Sequence, residues 1–282
     1  MMKNPCSINV NGRLISLDTP RVMGIINVTP DSFYGKSRYT GEKQVLGAAE
    51  KMLLDGADFL DIGGCSTRPG AEAVDQEEEE KRLLPAIKAI LREFPKAIIS
   101  ADTFRAKVAR KAVLECGANI INDISGGEAD EQMFGLVKEL NIPYVLMHMQ
   151  GTPATMQKNP VYEDIIADIL QWFGKKLVPL HQAGVKDIIL DPGFGFGKTI
   201  ENNFELLSRL GELEVAGHAV MAGLSRKSMI WKSLGLSPEE SLTGTTVLNT
   251  VALLNGASIL RVHDVKEARE AVKLVGLVKR ET

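Results

Sequence analysis

Residues 97–124 read AIISADTFRAKVARKAVLECGANIINDI, and this stretch decides the fold. Two continuous apolar runs, AIISAD (97–102) and ANIINDI (118–124), flank AKVARKAVLECG (106–117), which has helical periodicity and stops on a glycine. Apolar runs without polar alternation mark strands buried on both faces, as a parallel sheet requires. The stretch is therefore a strand–helix–strand unit. The same kind of run recurs at VMGIINV (22–28), ADFLDIG (57–63), PYVLMHM (143–149), KDIILD (186–191), HAVMAG (218–223) and ASILRVH (257–263). Amphipathic stretches such as EKQVLGAAEKMLLDG (42–56) and KEAREAVKLVGLVKR (266–280) lie between or after them. Eight such strands in 282 residues match a (β/α)8 TIM barrel. A doubly wound open sheet is the alternative; even spacing without a break in composition favours closure. No linker or low-complexity segment interrupts the pattern, so one domain over 1–282 is expected. Upstream, SINVNGRLISL (7–17) has two alternating runs around Asn11-Gly12, a strong hairpin signal, placed as a lid on one end of the barrel. The acidic run DQEEEEKR (75–82) opens a predicted helix and reads as a solvated face with acids near the helix N-terminus.

Composition narrows the function. A net charge of −3 gives no general affinity for nucleic acid or an anionic membrane. Cys6, Cys65 and Cys116 are odd in number and far apart, which argues against a disulfide framework or a thiolate metal site and fits a reducing compartment. The start MMKNPCSINV has no apolar segment behind a basic one, and no apolar run reaches a membrane span. The expectation is a cytoplasmic protein.

In a TIM barrel the C-terminal strand ends build the active site. Here those ends carry, in order, Asn27, Asp61 followed by CSTRPG, Asp102, Asn122-Asp123, His148, Asp191, LSRKS (224–228), and Arg261 with His263. Asp102 and Asp191 with Asn122 suit a flat heterocycle presenting several N–H donors, because a carboxylate accepts two parallel hydrogen bonds. Arg68, Arg226, Lys227, Arg261 and His263 predict an anionic ligand, most simply a phosphate or diphosphate, with Arg226 a candidate to point away from the site. His148, His181, His218 and His263 lack metal-ligand spacing, and His181 and His218 read as structural. Any metal would be Mg2+, held by an oxygen such as that of Asn27 and mainly by ligand phosphates. The loops TPDSFYGKSRY (29–39) and STRPGA (66–71) are candidate lids. DPGFGFGKT (191–199) fits neither nucleotide motif: Pro192 stands where a P-loop needs glycine, and its glycines fall at 193, 195 and 197.

Taken together, MGIINVTPDSF (23–33), DIGGCSTRPGA (61–71), SADTF (100–104), INDISGG (121–127), LMHMQGTPATMQ (146–157), LDPGFGFGKT (190–199), GLSRKS (223–228) and RVHDV (261–265) resemble the dihydropteroate synthase family of folate biosynthesis. The resemblance covers nearly the whole chain. It implies a barrel that joins 4-aminobenzoate to (7,8-dihydropterin-6-yl)methyl diphosphate, releases diphosphate, needs Mg2+, works as a homodimer and is a sulfonamide target. By that resemblance Asp102, Asn122 and Asp191 grip the pyrimidine edge of the pterin. Lys227 meets the ring's other polar edge, and Ile124, Met147, Phe196 and Gly223 complete the pocket. Asn27, Arg68, Arg261 and His263 hold the diphosphate, with Asn27 also near Mg2+. Phe33, Thr67, Pro69 and Ser228 frame the 4-aminobenzoate site, and Asp31 lies near the reacting carbon. The implied chemistry is dissociative, with catalytic roles for Asp31, Arg68, Lys227, Arg261 and His263. Three departures from the family pattern are Cys65, the lid sequence YGKSRY and SADTF, all beside the carried-over positions. A methyltransferase barrel that binds methyltetrahydrofolate would keep the pterin set without needing the diphosphate set or the TPDSF lid. A catalytically silent paralogue would have lost site residues, and none is missing.

Overall fold

The computed structural model describes residues 7–28, 38–65, 74–152, 156 and 160–280. The chain opens with strands β1 (Ser7–Val10) and β2 (Arg13–Ser16), paired antiparallel with Ser7 opposite Ser16. Asn11 and Gly12 both take positive φ, 51° and 82°, as the tight primed turn demands.

Eight parallel strands follow: β3 (Arg21–Asn27), β4 (Phe59–Gly63), β5 (Ile99–Asp102), β6 (Ile120–Asp123), β7 (Tyr144–Met147), β8 (Ile188–Asp191), β9 (Ala219–Ala222) and β10 (Ile259–Val262). They close in sequence order, with β10 pairing β3 through Ile259 opposite Arg21. The outer ring is built from α1 (Arg38–Leu54), α2 (Gln76–Glu93), α3 (Ala106–Leu114), α4 (Met133–Leu140), α5 (Ile165–Gln182), α6 (Ile200–Ser208), α7 (Ser228–Leu234), α8 (Leu242–Leu254) and α9 (Val265–Arg280). The closed barrel and hairpin expected from the apolar runs are both present.

Period-two alternation sorts each strand into a face toward the barrel axis and a face toward the helices. Met23, Phe59, Ile120, Val145, Ile189, Ala219, Met221 and Ile259 form one buried cluster with Ile8, Val10, Ile15 and Leu17, so the hairpin plugs the N-terminal end of the barrel. The opposite parity, including Val22, Ile121, Leu146, Leu190, Val220 and Leu260, packs under the helices. Stepping by two from the bottom layer leads to Asn27, Asp61, Asn122, Met147, Asp191, Gly223 and Arg261. These residues are thereby directed to the mouth by the strand period alone.

Two sequence expectations change here. Asp75 caps α2 by accepting from the Glu78 amide at 2.8 Å, as an acid at that position should, but Glu79 in the same acidic run is fully buried and paired with Arg105. The run is therefore not wholly a solvated face, because the inner side of α2's first turn meets the start of α3. Asp123, grouped with Asn122 at the end of β6, points outward by parity. It accepts from the Tyr144 hydroxyl at 2.7 Å and from the amides of Ser125 and Gly127, so it braces a turn.

Candidate active site

The mouth is organised around one guanidinium. Arg261 donates through Nε to Asp61 Oδ2 at 2.7 Å and through Nη2 to Asp102 Oδ2 at 2.7 Å. Asn122 Nδ2 donates to the same Asp61 oxygen at 3.0 Å. Register explains the meeting: Asn27, Gly63, Asp102 and Asn122 stand opposite one another across β3–β6. Asp61 lies one inward layer deeper and reaches both Asn122 and Arg261 from below. Burial works against the Arg261 charge, but Asp61 and Asp102 outweigh it and hold the guanidinium protonated. Burial, reinforced by the Asp61 charge, pushes the Asp102 carboxyl upward. Asp61 Oδ1 is buried with no hydrogen-bond partner, a desolvation cost at the base of the mouth.

Across the mouth, Asp191 Oδ1 accepts from the Gly193 amide at 2.7 Å. Burial raises the Asp191 carboxyl, opposed by Lys227. Lys227 donates to Phe194 O and lies 4.7 Å over the Phe196 ring. Its burial lowers the ammonium to about 8. Gly195 makes room for this side chain, since a Cβ there would lie 3.2 Å from Lys227 Cδ, and Gly223 lies beside it at ordinary contact distance. Ile124, Met147, Met149 and Met156 form a small apolar cluster, with Phe104 and Phe196 packed against it. The result is an apolar cluster beside two carboxylates, an amide and an ammonium.

The remaining site candidates are distributed as follows. His263 is linked to Ser225, with Nδ1 and Oγ 3.0 Å apart, beside the end of β10. Ser228 is the first residue of α7, half-buried. Asn27 ends β3 with an exposed side chain. Arg226 turns away: it pairs with Asp264 through two bonds, 3.0 and 2.7 Å, from a left-handed backbone at φ 56°. It therefore leaves the cationic set. Asp31, Phe33, Thr67, Arg68 and Pro69 lie outside the described residues, as do the two candidate lids over most of their length. Cys65 is half-buried beside Glu79, and burial pushes its thiol up to about 12, which disfavours the thiolate. His181 and His218 stack with their Nε2 atoms 3.1 Å apart, away from the mouth, consistent with a structural role.

Asp61 is the functional residue the sequence reading left without a role, although it was noted among the polar strand ends. Its parity with Gly63 and with the inward Phe59 was the available signal. Lys198, in the DPGFGFGKT stretch that fits neither nucleotide motif, is buried behind the 192–197 loop, where burial lowers its ammonium to about 7.

Among the described residues no three His, Cys, Asp or Glu side chains gather to hold a metal. The single exposed amide of Asn27 at the mouth fits a hard cation that takes most of its oxygens from an anionic ligand and water.

A closed parallel barrel that gathers carboxylates, an amide and an ammonium beside an apolar cluster at its C-terminal mouth has the arrangement of an enzyme site. In agreement, residues 23–263 match the family model described as pterin binding enzyme, and the chain belongs to that family. Its relatives include dihydropteroate synthases. The one from Escherichia coli (strain K12) is 41% identical over 266 residues, covering 94% of this chain and 93% of the relative. Among solved structures, the Yersinia pestis dihydropteroate synthase with a sulfonamide drug complex superposes with a TM-score of 0.90 at 38% identity, covering 97% of this chain and 99% of that one. The Xanthomonas albilineans dihydropteroate synthase with 4-aminobenzoic acid gives a TM-score of 0.88 at 38% identity, covering 98% and 99%.

Proposed function

We propose that this chain acts as a dihydropteroate synthase, condensing (7,8-dihydropterin-6-yl)methyl diphosphate with 4-aminobenzoate and releasing diphosphate. The observation that carries the reading is the pairing of Asp102 and Asn122 with Asp191 across an apolar wall of Ile124, Met147 and Phe196. A 2-aminopyrimidine edge presents parallel N–H donors to such acceptors. Family membership and the 4-aminobenzoic acid and sulfonamide complexes of its relatives support the second substrate.

By the family resemblance the reaction proceeds by loss of diphosphate to a resonance-stabilised pterinylmethyl cation, trapped by the arylamine. Asp102 and Asp191 stabilise positive charge on the pterin, and the low dielectric of the pocket strengthens that effect. Arg261 and His263, at the end of β10, receive the charge developing on the leaving group. Arg68 joins them by resemblance, as Thr67, Pro69, Phe33 and Ser228 join the arylamine site and Asp31 the reacting carbon. Mg2+ bound through Asn27 and diphosphate oxygens would neutralise leaving-group charge. The reading includes a homodimer in the cytoplasm; no described helix is long and apolar enough to cross a membrane.

The test is turnover by the purified protein given the pterin diphosphate, Mg2+ and 4-aminobenzoate. Diphosphate and dihydropteroate should appear together. Absence of the pteroate product rejects the reading. Substituting Arg261 or His263 by alanine should slow turnover more than it weakens 4-aminobenzoate binding, and unchanged diphosphate release in both variants counts against their role.

A further inference from the structure

The loop after β8 folds back over the end of β7, and a buried lysine holds it there. Lys198 is only 3% exposed, and its Nζ makes three contacts. They run to His148 Nδ1 at 3.0 Å, Gly193 O at 3.0 Å and Phe196 O at 3.1 Å. Three protein groups surround the buried Nζ, so it is directed at the protein and not at a ligand. His148 is anchored in turn, its amide donating to Asp191 O at 2.9 Å. Its ring is kept neutral, because burial and the Lys198 charge lower its pKa to about 2, which leaves Nδ1 free to accept. The loop lies so close that a Cβ on Gly193 would come within 2.0 Å of His148 O, and one on Gly197 within 2.5 Å of Gln150 O.

Each carbonyl held by Lys198 belongs to a residue that shapes the pterin pocket. The Gly193 amide orients the Asp191 carboxylate. Phe196 forms part of the apolar wall and carries Lys227 over its ring. Phe194, between them, supplies the carbonyl that receives Lys227. We infer that Lys198 is a positioning residue: by pinning the 193–196 backbone to His148 it sets Asp191, Phe196 and Lys227 in the geometry that selects the pterin substrate. It touches no substrate itself. The inference rests on the reading of the mouth as a pterin site.

The effect should fall on one substrate only. Lys198→Met keeps the length of the side chain and removes its donors, leaving buried acceptors unsatisfied. The KM for the pterin diphosphate should rise about tenfold or more as the backbone around the three unpaired acceptors shifts, while the KM for 4-aminobenzoate changes less than about twofold. A second pair of variants removes dependence on the folding of Lys198→Met. His148→Asn places an amide oxygen near the Nδ1 position and should keep the pterin KM within about threefold of wild type. His148→Leu has no acceptor and should reproduce the Lys198→Met phenotype. Equal loss on both substrates, or a defect shared by His148→Asn and His148→Leu, reduces Lys198 to a packing residue and overturns the inference. Wild-type protein that makes no pteroate would instead reject the functional reading, so the two failures are separable.

Discussion

Replacing Asp61 by asparagine isolates the charge at the base of the mouth. Asp61 is fully buried and its Oδ2 accepts from both Arg261 Nε and Asn122 Nδ2, at 2.7 and 3.0 Å. An asparagine oxygen in that place keeps both hydrogen bonds but removes the carboxylate charge, so the Arg261 bond loses its ion-pair character and the Asn122 bond becomes neutral. The difference between bonds with and without that charge is about 1–2 kcal/mol. Complete removal of a buried partner costs more, about 3–5 kcal/mol, so Asp61→Asn should sit well below that bound. For a chain of this size 1–2 kcal/mol corresponds to a fall in Tm of about 2–6 °C. A second effect has the opposite electrostatic sense. The Asp61 charge helps raise the Asp102 carboxyl, so its removal should let Asp102 ionise at lower pH. The acidic limb of the kcat/KM profile for the pterin diphosphate should then move to lower pH. Differential scanning calorimetry and a pH series on one preparation read both effects. An unchanged Tm together with an unmoved acidic limb would refute the claim that Asp61 holds Arg261 and tunes Asp102.

Other perturbations follow from neighbouring contacts. Gly193→Ala meets His148 O at 2.0 Å from a backbone at φ 70°, so it should cost about 2–4 kcal/mol and abolish pterin binding, as read by thermal unfolding and calorimetry. Because Lys227 titrates near 8, its protonated form is available below that pH and lost above it; kcat/KM for the pterin diphosphate should fall as pH rises through about 8, and Lys227→Met should remove that limb. Arg226→Ala breaks only the partly exposed pair with Asp264 and should cost up to about 1 kcal/mol by denaturant unfolding, with both KM values unchanged.

The barrel was legible because each strand is an unbroken apolar run and each run is separated by a helix-length segment. The polar strand ends were legible for the same reason: a charged residue closing an apolar run has no packing explanation. Less visible was what those ends do to one another. Arg261 and Asp61 are 200 residues apart, and only closure of β10 on β3, the neighbour of β4, makes them meet. Asp123 and Asn122 look equivalent as consecutive residues, but the strand period turns one to Tyr144 and the other to Asp61. Arg226 and Lys227 divide in the same way at the start of α7, where the left-handed backbone of Arg226 sends its side chain to Asp264. Lys198 was the hardest to place. A lysine beside glycines looks like a phosphate ligand until the three buried acceptors around its Nζ are seen.

The central claim is that the acceptors at the ends of β5, β6 and β8 hold the pyrimidine edge of a pterin. Equilibrium binding of a simple 2-amino-4-oxopteridine, measured by calorimetry without the second substrate or any turnover, tests it most directly. Wild-type protein should bind the pteridine with one site per chain, and Asp191→Asn should weaken binding by about tenfold or more through loss of a charged acceptor. Equal affinity in the two proteins would contradict the account.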